Sequence, residues 1–169
     1  MSISSSVVLA TDTVDEGYEI NPEVAAGPGI EMIEREGYKG LFAKQAFVED
    51  AVIFYLKGRV STRPTKYSIQ LDSDKHLDFP LVRKQNDDLD YSWQFLNHSC
   101  DPNGYMNIAE YAFRALRNIS KGEEITFNYL TTESELATPF NCNCGAAGCL
   151  GVIRGNKHQA SIQPALREP

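Results

Sequence analysis

The chain lacks three features that would place it in a large class of proteins. It has no excess of basic residues, because 16 lysines and arginines stand against 23 aspartates and glutamates, for a formal net charge of −7. It has no hydrophobic run of membrane-spanning length, and its N-terminus has no basic flank before a long apolar stretch. These absences argue against non-specific nucleic-acid binding, a membrane span and a secretory signal. They predict an intracellular protein, either cytoplasmic or nuclear.

The pattern of the remaining sequence predicts a mostly-β domain built from short strands. The length of 169 residues and a hydrophobic content of 42% suit one domain. Residues 1–28 form a polar lead-in, and a short helix is predicted after Thr131 or Thr132, with Glu135 in the capping region. The other segments carry β-branched and aromatic residues between turns and predict strands within 29–47, 50–60, 64–79, 105–119 and 120–129.

The four cysteines form the first chemical signal. Three lie in "FNCNCGAAGCLG", as Cys142, Cys144 and Cys149, and the fourth is Cys100 in "NHSCDPN". Nothing indicates secretion, so a disulfide framework is not expected. Structural zinc takes four ligands in a tetrahedron, and Cys100 is the only cysteine left to complete the set. The sequence therefore predicts one zinc ion on these four thiolates, with unrelated free thiols as the alternative.

The stretch "NHSCDPN", residues 97–103, concentrates an amide, an imidazole, a thiol, an acid and a proline in seven positions. Such chemistry suits a metal site, a nucleophile site or a ligand clamp, and the stretch alone does not choose between them. Pro102 and Asn103 are most simply explained as a turn.

Three motifs in order carry a resemblance to a known family. "FLNHSCDPN", "KGEEITFNY" and "CNCGAAGCLG" resemble the SET-domain protein lysine methyltransferases that have a post-SET cysteine segment, and "YKGLFAKQAF" resembles the N-terminal element of that family. The resemblance implies the SET fold, with several small curved β-sheets around a knot-like crossing, short helices and a C-terminal post-SET zinc loop. It also implies a SET domain at 29–135, a post-SET segment at 136–155 and a tail at 156–169.

The resemblance implies S-adenosylmethionine as the cofactor and assigns residues to it. Asn97 and His98 match the family's adenine side, and one departure is Tyr38, which stands where the family has the first glycine of its GxG element. The alternatives for His98 are a hydrogen-bonded core histidine and, less favoured, a metal ligand. The remaining residues that the resemblance assigns to the cofactor are Lys39, Gly40, Tyr67 and Leu150.

The resemblance also assigns catalytic roles. Tyr129 matches the family's catalytic tyrosine, and Phe127 matches the position that sets how many methyl groups fit. Their spacing of two predicts that they share one face of a strand. Tyr55 matches a second family tyrosine, and Tyr91 and Tyr105 are further candidates for the lysine channel. The alternative for each of these aromatics is ordinary packing.

The predicted function is S-adenosylmethionine-dependent methylation of a lysine in a protein or peptide, to the di- or trimethyl state. The acidic net charge fits a basic tail as the partner. No direct nucleic-acid or membrane partner is expected. The alternative is a SET-like binding module without catalysis, since a fold does not guarantee an activity. A zinc hydrolase is not expected, because four thiolates leave no open position on the metal.

Overall fold

The structure is a computed structural model that describes residues 18–20, 27–80 and 91–159. The sequence predictions for 1–17, 21–26, 81–90 and 160–169 lie outside the described residues. Thirteen short strands are present in the described part: β1 (Glu19–Ile20), β2 (Ile30–Arg35), β3 (Tyr38–Ala43), β4 (Val52–Tyr55), β5 (Gly58–Ser61), β6 (Ile69–Asp72), β7 (Lys75–Asp78), β8 (Asn97–His98), β9 (Gly104–Asn107), β10 (Ala112–Ala115), β11 (Glu124–Phe127), β12 (Phe140–Asn141) and β13 (Val152–Ile153).

The strands form small sheets, which confirms the mostly-β prediction. Their orders are β1-β5-β7-β6, β4-β10-β9, β2-β3-β11-β8 and β12-β13. The 50–60 segment forms two strands as expected, but β4 and β5 do not pair with each other and belong to different sheets. Leu56 lies between them with no exposed surface, and its backbone N–H donates to the carbonyl of Tyr111 at 2.7 Å. The buried Leu56 therefore lies where the chain passes from the sheet that contains β4 to the sheet that contains β5.

Helical structure in the described part is limited to three single 3-10 turns, Ser92–Phe95, Tyr129–Thr131 and Asn156–His158. The short helix predicted after Thr131 is therefore wrong. The turn begins earlier, because the side chain of Asn128 accepts a hydrogen bond from the N–H of Leu130 at 3.1 Å, and Thr132 already ends it. No helix among the described residues has the length and apolar character needed to cross a membrane.

Strand β11 connects the core to the functional residues. It pairs antiparallel with β3 and parallel with β8, which holds residues 97–98 beside residues 126–127. Ile125 and Phe127 on β11 are buried in the main hydrophobic core. The ring of Phe127 meets that of Phe113 edge-on at 6.2 Å, and Phe113 stacks on Phe54 at 5.1 Å. The C-terminal end of β11 is thereby fixed in position by core packing.

Asn103 lies in a bend of the chain, as predicted, and its buried side chain also connects two distant segments. Its exposed fraction is 2%. Its Nδ2 donates to Glu123 Oε1 at 2.9 Å and to the carbonyl of Glu124 at 2.7 Å. Its Oδ1 accepts from the N–H of Thr126 at 2.9 Å. A buried amide with these partners has its polar atoms satisfied. It ties the 97–103 segment to β11.

Candidate active site and metal centre

A large cleft of about 1070 Å³ lies at the C-terminal end of β11. Its lining comes from segments that are far apart in sequence, namely the start of β3, residues 64–69, residues 93–99, the end of β11 and residues 136–144. The cleft therefore exists only when the small sheets are assembled around β11. Its volume is at the upper end of the range for small-molecule sites.

Aromatic rings form one wall of this cleft. The ring of Tyr129 lies 4.8 Å from that of Phe127, 5.2 Å from that of His98 and 6.0 Å from that of Phe140. Tyr129 belongs to a 3-10 turn and not to β11, so the expectation that it shares a strand face with Phe127 is wrong. The two rings nevertheless pack together, because the turn that Asn128 caps directs the chain back over the end of β11.

A second aromatic group in the cleft was not anticipated from the sequence. Phe79 stacks on Trp93 at 5.0 Å and lies 6.2 Å from the ring of Tyr67. The sequence signal for this group was Trp93, which is the only tryptophan and lies four residues before Asn97. Phe140, which also lines the cleft, directly precedes the cysteine segment.

The hydroxyl of Tyr129 is held at a defined place. It donates to the carbonyl of Leu96 at 2.6 Å, and the backbone N–H of Tyr129 donates to Nδ1 of His98 at 3.1 Å. Burial, followed by the nearby carboxylate of Glu133, raises the pKa of the Tyr129 phenol. The phenol therefore stays protonated at neutral pH, and its oxygen lone pairs remain available to a group in the cleft.

His98 connects the candidate catalytic tyrosine with the cysteine cluster. Because its Nδ1 accepts from the backbone of Tyr129, its Nε2 carries the proton and lies 3.3 Å from the sulfur of Cys100. Burial lowers the pKa of the imidazole to about 4, so the ring is neutral. Both nitrogens are occupied by protein atoms, so only the ring face or the backbone is left to meet a cofactor.

A polar network also lines the cleft. Nδ2 of Asn97 donates to the carbonyl of Lys39 at 2.7 Å, to Glu124 Oε1 at 2.9 Å and to the hydroxyl of Tyr38 at 3.0 Å. The Tyr38 hydroxyl in turn donates to Glu124. A Cβ on Gly40 would come within 2.8 Å of Glu124 Oε1, so a side chain there would force the carboxylate of Glu124 to shift within the network. Burial and Glu124 raise the pKa of Tyr38 to about 12.

The structure brings most of the predicted site residues together. The residues that line the cleft are Tyr129, Phe127, Lys39, Tyr67, Asn97 and His98, and Gly40 is next to Lys39 in β3. Tyr55 is 47% exposed on β4 and is not among the lining residues. Its catalytic role stays a prediction without geometric support. Neither Tyr91 nor Tyr105 lines the cleft, and the Tyr105 hydroxyl instead donates to Asp50 Oδ1 at 2.8 Å.

Leu150 lies at the cysteine cluster and not in the cleft wall. Its side chain is 45% exposed, and its backbone N–H points to the sulfur of Cys100 at 3.5 Å. The part of the cysteine segment that lines the cleft runs from Phe140 to Cys144. A contact between Leu150 and a cofactor stays a prediction.

The four cysteines converge, as the sequence predicts. The sulfurs of Cys100, Cys142, Cys144 and Cys149 all lie within 4.8 Å of one another, and those of Cys100 and Cys142 are 4.0 Å apart. Zinc–sulfur bonds of about 2.3 Å place the sulfurs of a tetrahedron roughly 3.8 Å apart. The donor set and its dimensions therefore fit a structural zinc ion.

The environment of the sulfurs differs from one cysteine to the next. Backbone N–H groups of Cys100 and Ala146 lower the pKa of Cys144 to about 6. Burial raises the pKa of Cys142 to about 12. Metal binding would replace the protons of all four thiols, so affinity for the ion falls as the solution becomes more acidic.

The sequence profile of the SET domain matches residues 38–130, which is more than half of the chain. The chain belongs to the SET domain family. The matched region contains Asn97, His98, Phe127 and Tyr129 and lies inside the predicted SET limits of 29–135. The exact domain limits remain predictions.

Curated relatives of this SET protein include methyltransferases. Methyltransferase flvH of Aspergillus flavus is 40% identical over 71 residues, which cover 40% of each chain. An H3 lysine-36 specific histone-lysine N-methyltransferase of Gibberella zeae is 31% identical over 137 residues, which cover 72% of this chain and 14% of the relative. In both cases the match spans less than half of the relative's own length.

Solved structures share the fold. A structure of KRYPTONITE in complex with mCHH DNA, an H3(1-15) peptide and SAH has a TM-score of 0.55 at 18% identity. The match covers 73% of this chain and 29% of that chain. The methyltransferase domain of human SETMAR has a TM-score of 0.51 at 18% identity, with 72% of this chain and 56% of that chain covered. These likenesses confirm the SET fold predicted from the motifs.

Proposed function

We propose that this SET protein is an S-adenosylmethionine-dependent lysine methyltransferase that acts on a protein or peptide. The observation that carries the proposal is the Tyr129 phenol, which lies in the aromatic wall of the cleft and is held by the carbonyl of Leu96. Positioning of this kind is what methyl transfer to an amine needs, because the attacking nitrogen and the methyl carbon must be aligned. Methyltransferases among the relatives support the same activity.

The cofactor is proposed to bind along the polar side of the cleft. Lys39, Gly40 and Asn97 form a hydrogen-bonded edge for this role, and Tyr67 supplies an aromatic ring. SAH is present in the KRYPTONITE structures, which supports the proposal. When bound, S-adenosylmethionine supplies an electrophilic methyl group on a positively charged sulfur. Zinc is proposed to occupy the four-cysteine cluster as a structural ion.

The residues of the chain contribute desolvation and orientation. Lysine is protonated at neutral pH, with a pKa of about 10.4, and the ammonium has no lone pair for attack. An aromatic wall such as that of Phe127 and Tyr129 excludes water and lowers the pKa of an amine that lies against it. The oxygens of Tyr129 and Leu96 offer weak C–H···O contacts to a polarised methyl group.

The substrate is proposed to be a lysine-bearing segment, with a basic tail favoured by the net charge of −7. The expectation of no direct nucleic-acid contact rests on that charge alone, and DNA is present in the structure of KRYPTONITE. We likewise propose an intracellular location from the sequence features above.

The test of the proposal combines binding with turnover. Titration calorimetry should detect S-adenosylmethionine binding, and methyl transfer from labelled cofactor to a lysine peptide array or to histones should be detectable by scintillation counting. The same peptides with arginine in place of lysine serve as the control and should remain unlabelled.

A binding module without catalysis is the second candidate. The observation that favours it is Tyr38, whose side chain lines the cleft at the position where the family has a glycine. Cofactor or peptide binding without any turnover would support this candidate and contradict the enzyme.

The product is expected to be the di- or trimethylated lysine. Phe127 is 4% exposed and carries no hydroxyl that would hold a water or occupy the space of further methyl groups. We expect Phe127→Tyr to shift the product toward monomethyl-lysine while turnover continues. Mass spectrometry of the modified peptide over time measures the change. Phe42→Tyr, a matched substitution on β3, should leave the product unchanged, and a wild-type enzyme that stops at one methyl group would contradict the role of Phe127.

A further inference from the structure

Glu133 is a buried acid in the wall of the cleft. Its exposed fraction is 9%, and it lines the cleft together with Tyr129. One carboxylate oxygen, Oε1, accepts from the N–H of Gln70 at 2.8 Å and from the Thr132 hydroxyl at 3.0 Å. Within the described part of the chain, the second oxygen, Oε2, has no hydrogen-bond partner.

The free oxygen of Glu133 remains reachable. Among the described residues, only His76 Nδ1 and Gln159 Oε1 are buried side-chain atoms that are sealed from solvent and lack a partner. Oε2 of Glu133 is not one of them, so it is not sealed from solvent, and Glu133 is a residue that lines the cleft. It is therefore the part of the carboxylate that a molecule in the cleft can meet.

The position of Glu133 relative to Tyr129 is fixed. Its backbone N–H donates to the carbonyl of Tyr129 at 2.8 Å, and its own carbonyl accepts from the N–H of Asn156 at 2.9 Å. The side-chain oxygen of Gln70 accepts from both the N–H and the hydroxyl of Ser134 at 2.8 Å. Gln70 on β6 thus holds Glu133 through its backbone N–H and Ser134 through its side-chain oxygen.

The charge of Glu133 has no cationic side chain in ion-pair contact among the described residues. Burial raises the pKa of its carboxyl group, while the hydrogen bonds from Gln70 and Thr132 lower it. Titratable groups on the elements packed against it are Tyr129, Asp72 on β6, and Lys157 and His158 on the 3-10 turn Asn156–His158, and none of them is a cause of this shift.

A buried carboxylate without a cation is costly unless a ligand supplies one. Phe127, Tyr129 and Phe140 line the cleft, and aromatic rings favour a cation as well. Both features point to a positively charged amine as the molecule that approaches Glu133.

We propose that Glu133 binds the ammonium group of the substrate amine and takes its proton before methyl transfer. This inference rests on the proposed lysine methyltransferase function. In this step an N–H bond of the ammonium breaks and an O–H bond forms at Oε2 of Glu133. The products are a neutral amine, whose nitrogen keeps the electron pair for attack, and a neutral carboxylic acid. The acid returns its proton to solvent through the open cleft after transfer.

Burial makes this proton transfer easier. The unperturbed pKa values of lysine, about 10.4, and glutamate, about 4.3, are far apart. Burial raises the pKa of Glu133, and the same water-poor surroundings lower the pKa of an amine that enters them. The two values approach each other, which is the condition for efficient general base catalysis.

The test is Glu133→Gln, which keeps the size of the side chain and an oxygen that can accept from Gln70 and Thr132. We expect kcat/KM for the methyl acceptor to fall about 10²-fold or more at pH 7, the range for loss of a general base. The wild-type rate rises with pH as Glu133 ionises. The rate of the variant rises only at the higher pH at which the amine loses its proton to solvent. The rate deficit should therefore narrow as the pH is raised, a pattern that a purely structural role of Glu133 would not produce.

The matched control is Glu31→Gln on β2, which removes the same charge from an exposed side chain that does not line the cleft. It should change kcat/KM less than about threefold, within the usual effect of an exposed charge. Both variants should retain the thermal midpoint and the affinity for S-adenosylhomocysteine. A Glu133→Gln variant that is as fast as wild type, or a deficit equal at all pH values, would overturn the inference.

A binding experiment separates this inference from the proposed function. n-Butylammonium serves as a probe for the amine and 1-butanol as its neutral counterpart, each titrated by NMR in the presence of S-adenosylhomocysteine. We expect Glu133→Gln to weaken n-butylammonium binding about tenfold or more and to leave 1-butanol binding unchanged. Equal binding of n-butylammonium to both proteins would refute the cation site, even if the wild type methylates lysine. Absence of turnover on every acceptor would refute the proposed function, while the n-butylammonium titration would still decide the role of Glu133.

Discussion

Removal of zinc should unfold the cysteine segment and weaken cofactor binding about tenfold or more. The segment has little else to hold it: β12 and β13 are two residues each, and the small hydrophobic cluster there consists of Leu130, Cys142 and Ile153 with a few half-buried neighbours. Structural zinc in zinc-finger peptides contributes about 10–16 kcal/mol of apparent binding free energy at pH 7. Because Phe140 to Cys144 line the cleft, loss of the metal should open one of its walls.

The measurement uses Cys144→Ser and protein treated with a chelator. Metal analysis of untreated wild type should give one zinc per chain, and both altered proteins should become protease-sensitive between residues 136 and 153. Ala147→Ser, an exposed position in the same loop, retains all four thiolates and should behave as wild type. Zinc-free wild-type protein purified without chelator, or a Cys144→Ser variant with full zinc content and unchanged affinity for S-adenosylmethionine, would refute the prediction.

The sequence motifs predicted which residues lie close together in the candidate site and in the cysteine cluster. Cys100 is 42 residues from Cys142, yet counting ligands was enough to place the two together, because a tetrahedral ion needs a fourth thiolate. Asn97, His98 and Tyr129 likewise meet in one cleft, as the order of the motifs implies. Both predictions rest on the ligand count or on the order of the motifs and do not depend on the local conformation of the chain.

The sequence could not predict features that depend on contacts between distant segments. Tyr129 leaves the strand because Asn128 caps the 3-10 turn that follows it. The alternation of side chains in the sequence does not reveal this turn. Asn103 follows a proline and has the local pattern of a turn, but its partners are 20 to 23 residues away on and beside β11. Glu133 has the local pattern of an exposed acid, and only its bond to Gln70, 63 residues away, explains its burial. The family resemblance assigns Tyr55 to the site, but a resemblance of motifs does not show that none of the β4 residues lines the cleft.

Loss of the Tyr129 hydroxyl should have the largest effect on catalysis. Tyr129→Phe keeps the ring contacts with Phe127, His98 and Phe140 and removes only the oxygen that is bonded to the Leu96 carbonyl. We expect kcat to fall 10²-fold or more, which corresponds to about 2.7 kcal/mol of transition-state stabilisation at about 1.36 kcal/mol per decade. Stability should fall by only about 1 kcal/mol, the usual contribution of one hydrogen bond.

The raised pKa of Tyr129 also predicts how the wild-type rate depends on pH. Burial and the Glu133 carboxylate raise that pKa, so the phenol stays neutral from acidic to moderately alkaline pH. The wild-type rate should therefore show no fall due to phenolate formation below about pH 10, the unperturbed value.

Tyr105→Phe removes a hydroxyl that is bonded to Asp50 outside the cleft, and it should leave kcat unchanged. Single-turnover kinetics with saturating cofactor measure the methyl-transfer step for all three proteins. A Tyr129→Phe variant that retains more than a tenth of the wild-type rate would show that the phenol oxygen does not align the transfer, and the Leu96 carbonyl would then be the group to test.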